Sequence, residues 1–215
     1  MKENLFETQY DVSKKSKIRK FYESNKILII LLAFILFAFL SFSSFYLVNN
    51  ENNKILASEK YIQAKIYLDK GNKIEATNIL KEVIFKNDPT YSTLCFFLIL
   101  NQKLITDYKE ISFLFDHLIS NNKFEKEIGN LLIYKKTLFD SNFIDESVLL
   151  DKTKLLLNEK TVWRPHALLL LGDFFVSKGE YLKAKEFYLQ TLSISNLQKN
   201  LYDYASTQLI LIAND

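Results

Sequence analysis

Residues 27–48 read ILIILLAFILFAFLSFSSFYLV, and no charged residue stands between Lys26 and Glu51. As a helix rising about 1.5 Å per residue, this run is about 33 Å long, enough for a hydrocarbon core about 30 Å thick. Tyr22 and Tyr46 fall near its ends, where aromatic rings favour the membrane interface. A buried core helix is a competing reading, disfavoured because the helix would be apolar on every face. A cleaved signal peptide would have an apolar region of about 7–15 residues followed by a small-x-small site. Here the run is longer, its best small pair, Ser41 and Ser43, lies inside it, and no cysteine follows closely for lipoprotein processing. The sequence therefore predicts an uncleaved transmembrane helix over 27–48.

The charge pattern orients that helix. Lys2, Lys14, Lys15, Lys17, Arg19, Lys20 and Lys26 stand against Glu3, Glu7, Asp11 and Glu23, and this excess accounts for the whole net charge of +3. The flank after the run, VNNENNK, is balanced. By the positive-inside rule, residues 1–26 form a basic cytoplasmic N-terminus and the chain beyond about residue 50 lies outside. In a Gram-negative cell that is a single-pass inner-membrane protein with its C-terminal part in the periplasm. A nucleic-acid binder would carry its basic residues on the folded domain, so no nucleic-acid partner is expected.

Beyond residue 54 the composition selects helices. Four glycines and two prolines in 215 residues are too few for an all-β fold rich in tight turns. Apolar residues recur at helical spacing, as in Leu168, Leu171, Phe175 and in Tyr181, Ala184, Tyr188. Polar breaks fall at 69–72, 87–89, 101–103, 121–122, 140–142, 158–161, 178–179 and 196–200. The expectation is an all-α domain over 54–215 with eight or nine antiparallel helices.

Two stretches are alike. Aligning Gly71 with Gly179 pairs Ala64 with Gly172, Tyr67 with Phe175, Ala76 with Ala184 and Leu80 with Tyr188. Small residues let helices approach, glycines end the first helix in the left-handed conformation, and the aromatics fill grooves between hairpins. The spacing resembles the tetratricopeptide repeat, with a Pro at Asp88-Pro89 closing the first unit, and the two glycines lie about three repeats apart. The hairpins between them, around 90–121 and 124–158, lack the full pattern. The expected architecture is an N-terminal transmembrane helix followed by an α-solenoid of such hairpins.

Reactive chemistry is not indicated. Cys95, in LCFFLIL, reads as a small core residue, and one cysteine allows neither an intrachain disulfide nor a multi-cysteine zinc site. His117 and His166 stand in no metal-binding spacing, and phosphate loops, nucleophile elbows and dinucleotide fingerprints are missing. Glu125 and Glu127 read as helix surface charge. No catalytic residue, cofactor, metal or small-molecule substrate is expected. A curved stack of hairpins offers instead an extended surface for peptides or proteins. In the repeat family this surface is lined from the first helix at i, i+3, i+7 and i+10, which selects Ser58, Tyr61, Lys65 and Leu68, then His166, Leu169, Asp173 and Val176.

A basic N-terminus ending in KIRKFYESNK, one membrane helix and a periplasmic tetratricopeptide-like array together resemble the ancillary subunit family of the bacterial SecYEG translocon. The resemblance implies a membrane-anchored interaction scaffold that links translocon subunits to periplasmic chaperones. A tetratricopeptide scaffold for another envelope process, such as cell-wall synthesis or division, shares these sequence features. Loss of function on replacing His117 or His166 in a folded chain would point to a hydrolase or isomerase.

Overall fold

The structure is a computed structural model that describes residues 17–158 and 160–213. Lys2, Lys14 and Lys15, part of the basic excess read from the sequence, lie outside the described residues. The chain divides into two compact units, Met1–Ile55 and Leu56–Asp215.

The first helix, α1, runs Lys17–Asp69. It is interrupted at Asn25, whose φ of −117° and ψ of 17° leave the helical range. The Asn25 amide donates to the Phe21 carbonyl at 3.1 Å, a side-chain bond that competes with the backbone ladder. Beyond the break the most apolar stretch is 0 % buried, and Phe34 and Phe42 are both 73 % exposed. Such exposure is not that of a core helix. The segment is long and apolar enough to cross a membrane.

The second unit continues with α2 (Lys73–Ile84), α3 (Pro89–Asn101), α4 (Tyr108–Asn121), α5 (Lys126–Asp140), α6 (Glu146–Asn158), α7 (Arg164–Ser177), α8 (Tyr181–Leu192) and α9 (Lys199–Ala213). Among the described residues there are nine helices and no strand. The starts follow local chemistry. Asn72 accepts from the Glu75 N–H, Asp88 from the Thr90 and Tyr91 N–H groups ahead of Pro89, and Asp107 from the Glu110 N–H.

The two glycine turns are built alike. After α1 the Gly71 N–H donates to Leu68 O and the Asn72 N–H to Tyr67 O, both at 2.9 Å. After α7 the Gly179 N–H donates to Val176 O at 3.0 Å and the Glu180 N–H to Phe175 O at 2.9 Å. Both are Schellman closures with the glycine left-handed, at φ +79° and +73°. In each, the aromatic residue paired by the sequence alignment supplies the outermost carbonyl. The paired small residues are covered too, with Ala64, Ala76 and Ala184 at 0 % exposure and Gly172 buried.

From α2 onward each helix packs on its successor, and α7 also lies beside α5 and α9. Two apolar clusters result. One gathers Ala57 and Ala64 of α1 with Leu80, Val83, Phe96, Phe115 and Leu132. The other gathers Leu149, Leu171, Phe175, Ala184, Tyr188 and Ala205. An ionic cluster around the buried Lys136 and Asp140 ties α4, α5 and α6. Lys136 Nζ donates to Ser112 Oγ at 2.9 Å and pairs with Asp116 and Asp140 at 3.2 Å. Asp140 also pairs with Lys152 at 3.2 Å and accepts from the Tyr108 hydroxyl at 3.1 Å.

Candidate functional site

The neighbours of α7 decide where a site can form. α7 lies beside both α5 and α9, and a groove lined by the three helices forms there. It holds about 250 Å³ and is lined by Tyr134, Leu138, His166, Leu169, Leu170, Asp173, Leu201 and Tyr204. Three of the four surface residues selected from α7 therefore meet in one place. Val176, the fourth, packs against the second apolar cluster instead.

Asp173 is held by two phenols. The Tyr188 hydroxyl, from α8, donates to its Oδ1 at 2.7 Å. The Tyr204 hydroxyl, from α9, lies 3.0 Å from both carboxylate oxygens. Each hydroxyl on a carboxylate is a charge-assisted bond, and together they fasten three helices at one point. Burial, followed by the Asp173 charge, raises the pKa of the half-buried Tyr134 phenol. Burial, the hydrogen bond to Asp173 and its charge raise that of Tyr188 in the same way. Burial and then the Asp173 charge push Tyr204 up to about 12. Among the described residues Asp173 forms no ion pair, so its charge is balanced by neutral donors only.

The opposite wall is fixed by the turn before α7. Glu127 of α5 accepts from the Thr161 hydroxyl at 2.7 Å and from the Val162 N–H at 3.3 Å. The Trp163 indole N–H donates to Glu127 O at 2.9 Å, and the Asn130 amide to Thr161 Oγ1 at 3.1 Å. Glu127 is thus a tie between α5 and the turn, where the sequence suggested plain surface charge. The tie sets Trp163 on Tyr134, with centroids 6.0 Å apart and planes 18° apart, and brings His166 within 5.7 Å of Tyr134. Burial lowers the pKa of His166; Lys135 adds to this, while the Val162 carbonyl pulls the other way without completing a bond to Nδ1. His166 Nδ1 is buried with no hydrogen-bond partner. Burial thus favours the uncharged ring, and no hydrogen bond joins it to Asp173.

The residues selected from α1 are dispersed in role. Tyr61 meets Tyr91 at 6.4 Å, Lys65 lies over the Tyr61 ring at 5.9 Å, and Ser58 and Leu68 are half-buried. Of the remaining chemistry-bearing groups, Cys95 is enclosed and burial pushes its thiol up to about 12, far from the reactive range. His117 bonds Asn87 Oδ1 at 2.8 Å and meets Phe85 edge-on at 4.7 Å. Among the described residues no group of three or more His, Cys, Asp and Glu could hold a metal ion. Of the α7 lining, His166, Leu169 and Asp173 follow from the repeat family's spacing and Leu170 does not. Tyr134, Leu138, Leu201 and Tyr204 were not readable from spacing, because only the packing of distant helices brings them to α7.

Compared with family models, curated proteins and solved structures, the chain matches none.

Proposed function

We propose that this chain is a membrane-anchored protein-interaction scaffold of the bacterial inner membrane, ancillary to the SecYEG translocon and linking it to periplasmic chaperones. The groove across α5, α7 and α9 carries the reading. These are alternate helices of the run, and their side-by-side placement supports an array of hairpins whose first helices share one face. The equivalent closures at Gly71 and Gly179 support the tetratricopeptide-like assignment. An uncovered apolar helix supports an anchor, and the basic residues before it support a cytoplasmic N-terminus. The mechanism is tethering. An anchor that keeps a weak binding face near a channel exit raises the effective concentration of its partner toward the mM range without any chemical step.

The test is capture of the full-length protein from its native membranes in mild detergent, with bound proteins identified by mass spectrometry. Translocon subunits and a periplasmic chaperone are the expected companions. Wall-synthesis or division proteins in their place move the scaffold to another envelope process.

A further inference from the structure

The groove combines features that single out one kind of occupant. Its volume of about 250 Å³ is below the roughly 300–1,000 Å³ of small-molecule sites, and suits one long side chain rather than a cofactor. Its lining contains one carboxylate, four leucines, two phenols and an imidazole, with no Lys or Arg. The carboxylate is fixed in place before any ligand arrives. A carboxylate offers about four acceptor positions. Tyr188 and Tyr204 bring one proton each, the Tyr204 hydroxyl lying equally close to Oδ1 and Oδ2, so acceptor capacity remains on the carboxylate. Two aromatic residues, Tyr134 and Tyr204, line the groove with it. The four leucines favour an aliphatic stem, and burial disfavours a charge on His166 that would repel a cation.

We propose that the groove between α5, α7 and α9 is a subsite for one arginine side chain of a partner polypeptide, its guanidinium on Asp173 and its stem along the leucines. Charge complementarity selects a cation, because Asp173 has no cationic partner of its own among the described residues. Geometry selects arginine over lysine. A guanidinium is planar, stacks on aromatic rings and is weakly hydrated, whereas an ammonium is a compact, strongly hydrated point charge. The guanidinium donates to the acceptor positions that the two phenols leave open. The proposal rests on the scaffold reading and names the chemistry of the partner it would hold.

The test uses the full-length protein in detergent micelles and the peptide acetyl-Gly-Ser-Leu-Arg-Leu-Ser-Gly-amide, followed by titration calorimetry. Versions with Gln or Lys in place of Arg are titrated beside it. The arginine peptide is expected to bind at least about tenfold more tightly than the glutamine peptide, with the lysine peptide between them. In Asp173→Asn, which keeps an acceptor oxygen for the two tyrosines, the three are expected to bind alike. If circular dichroism shows that Asp173→Asn does not fold, Tyr134→Leu, which removes a ring face, is expected to reduce the arginine preference. Equal binding of the arginine and glutamine peptides to the wild type, or binding of neither, overturns the subsite. Partner capture from membranes that is unchanged by Asp173→Asn overturns it as well, yet leaves the scaffold standing. Capture of no protein by the wild type overturns the scaffold, even where the isolated groove prefers arginine.

Discussion

Gly172 lies against the ring of Tyr188: a Cβ added to the glycine would sit 2.5 Å from Cε1 and 2.8 Å from Cζ of the tyrosine. The ring is fully buried, and its hydroxyl is fastened to Asp173, one residue along from the glycine. It has nowhere to retreat without breaking that bond. Gly172→Ala is therefore expected to destabilise by about 1–3 kcal/mol, despite the better helix propensity of alanine. For a domain of this size each kcal/mol is worth about 2–4 °C, so a thermal melt should fall by several degrees. A melting temperature equal to the wild type would show that the ring moves freely.

Gly71 and Gly179 present the opposite case. Nothing lies within 4 Å of a Cβ built at either, yet both have positive φ. Alanine there meets no neighbour, and its cost of about 1–2 kcal/mol is conformational. Asparagine tolerates the left-handed region better and should cost less. Urea midpoints for the Ala and Asn variants at each position check this, and equal losses for the two would contradict it.

Lys136 and Asp140 form a buried ion pair within α5, with side chains 8 % and 2 % exposed, and their further partners on α4 and α6 tie the three helices. Removing one partner of such a pair typically costs about 3–5 kcal/mol. Lys136→Met should fall toward the lower end, since Asp140 keeps Lys152 and the Tyr108 hydroxyl. Asp140→Leu combined with Lys136→Met should cost less than the two single changes added together, because no charge is then left stranded. Strict additivity in denaturant unfolding would mean that the two residues do not interact.

The phenols on Asp173 predict an alkaline weakness. Burial and the Asp173 charge push Tyr204 in the folded chain from the ordinary phenol range up to about 12, and Tyr188 is raised in the same direction. The folded chain therefore holds these protons when the unfolded chain has released them. Their contribution is fully present below about pH 10 and is lost as pH rises toward about 12 and beyond. Tyr204→Phe removes one of the two groups, so its stability should decline less steeply above pH 10 than that of the wild type. Urea midpoints at pH 8, 10 and 11 provide the comparison, and parallel declines would rule out this origin.

Most of the helical architecture was legible because helix ends are local events. Asn72, Asp88-Pro89 and the two glycines announce their turns within a few residues, and the structure breaks its helices there. The last break was read three residues late, since α8 ends at Leu192 rather than near Ser195. The site was legible in part. Spacing along one helix brought out His166, Leu169 and Asp173, but Asp173 bonds Tyr204 from 31 residues away and Glu127 bonds Thr161 from 34 residues away. No periodicity encodes such pairs. They follow from which helices become neighbours, and α7 is the element that α5 and α9 share.

Trp163 is the chain's single tryptophan, and it stacks on Tyr134 and leans on His166, two residues that line the groove. The molecule thus carries one intrinsic fluorophore beside its candidate binding face. Any occupant that shifts Tyr134 or excludes water from the rim will change the colour or yield of that one emission. The purified protein in detergent can report its own occupancy, with no dye attached and no second tryptophan in the chain to confuse the signal.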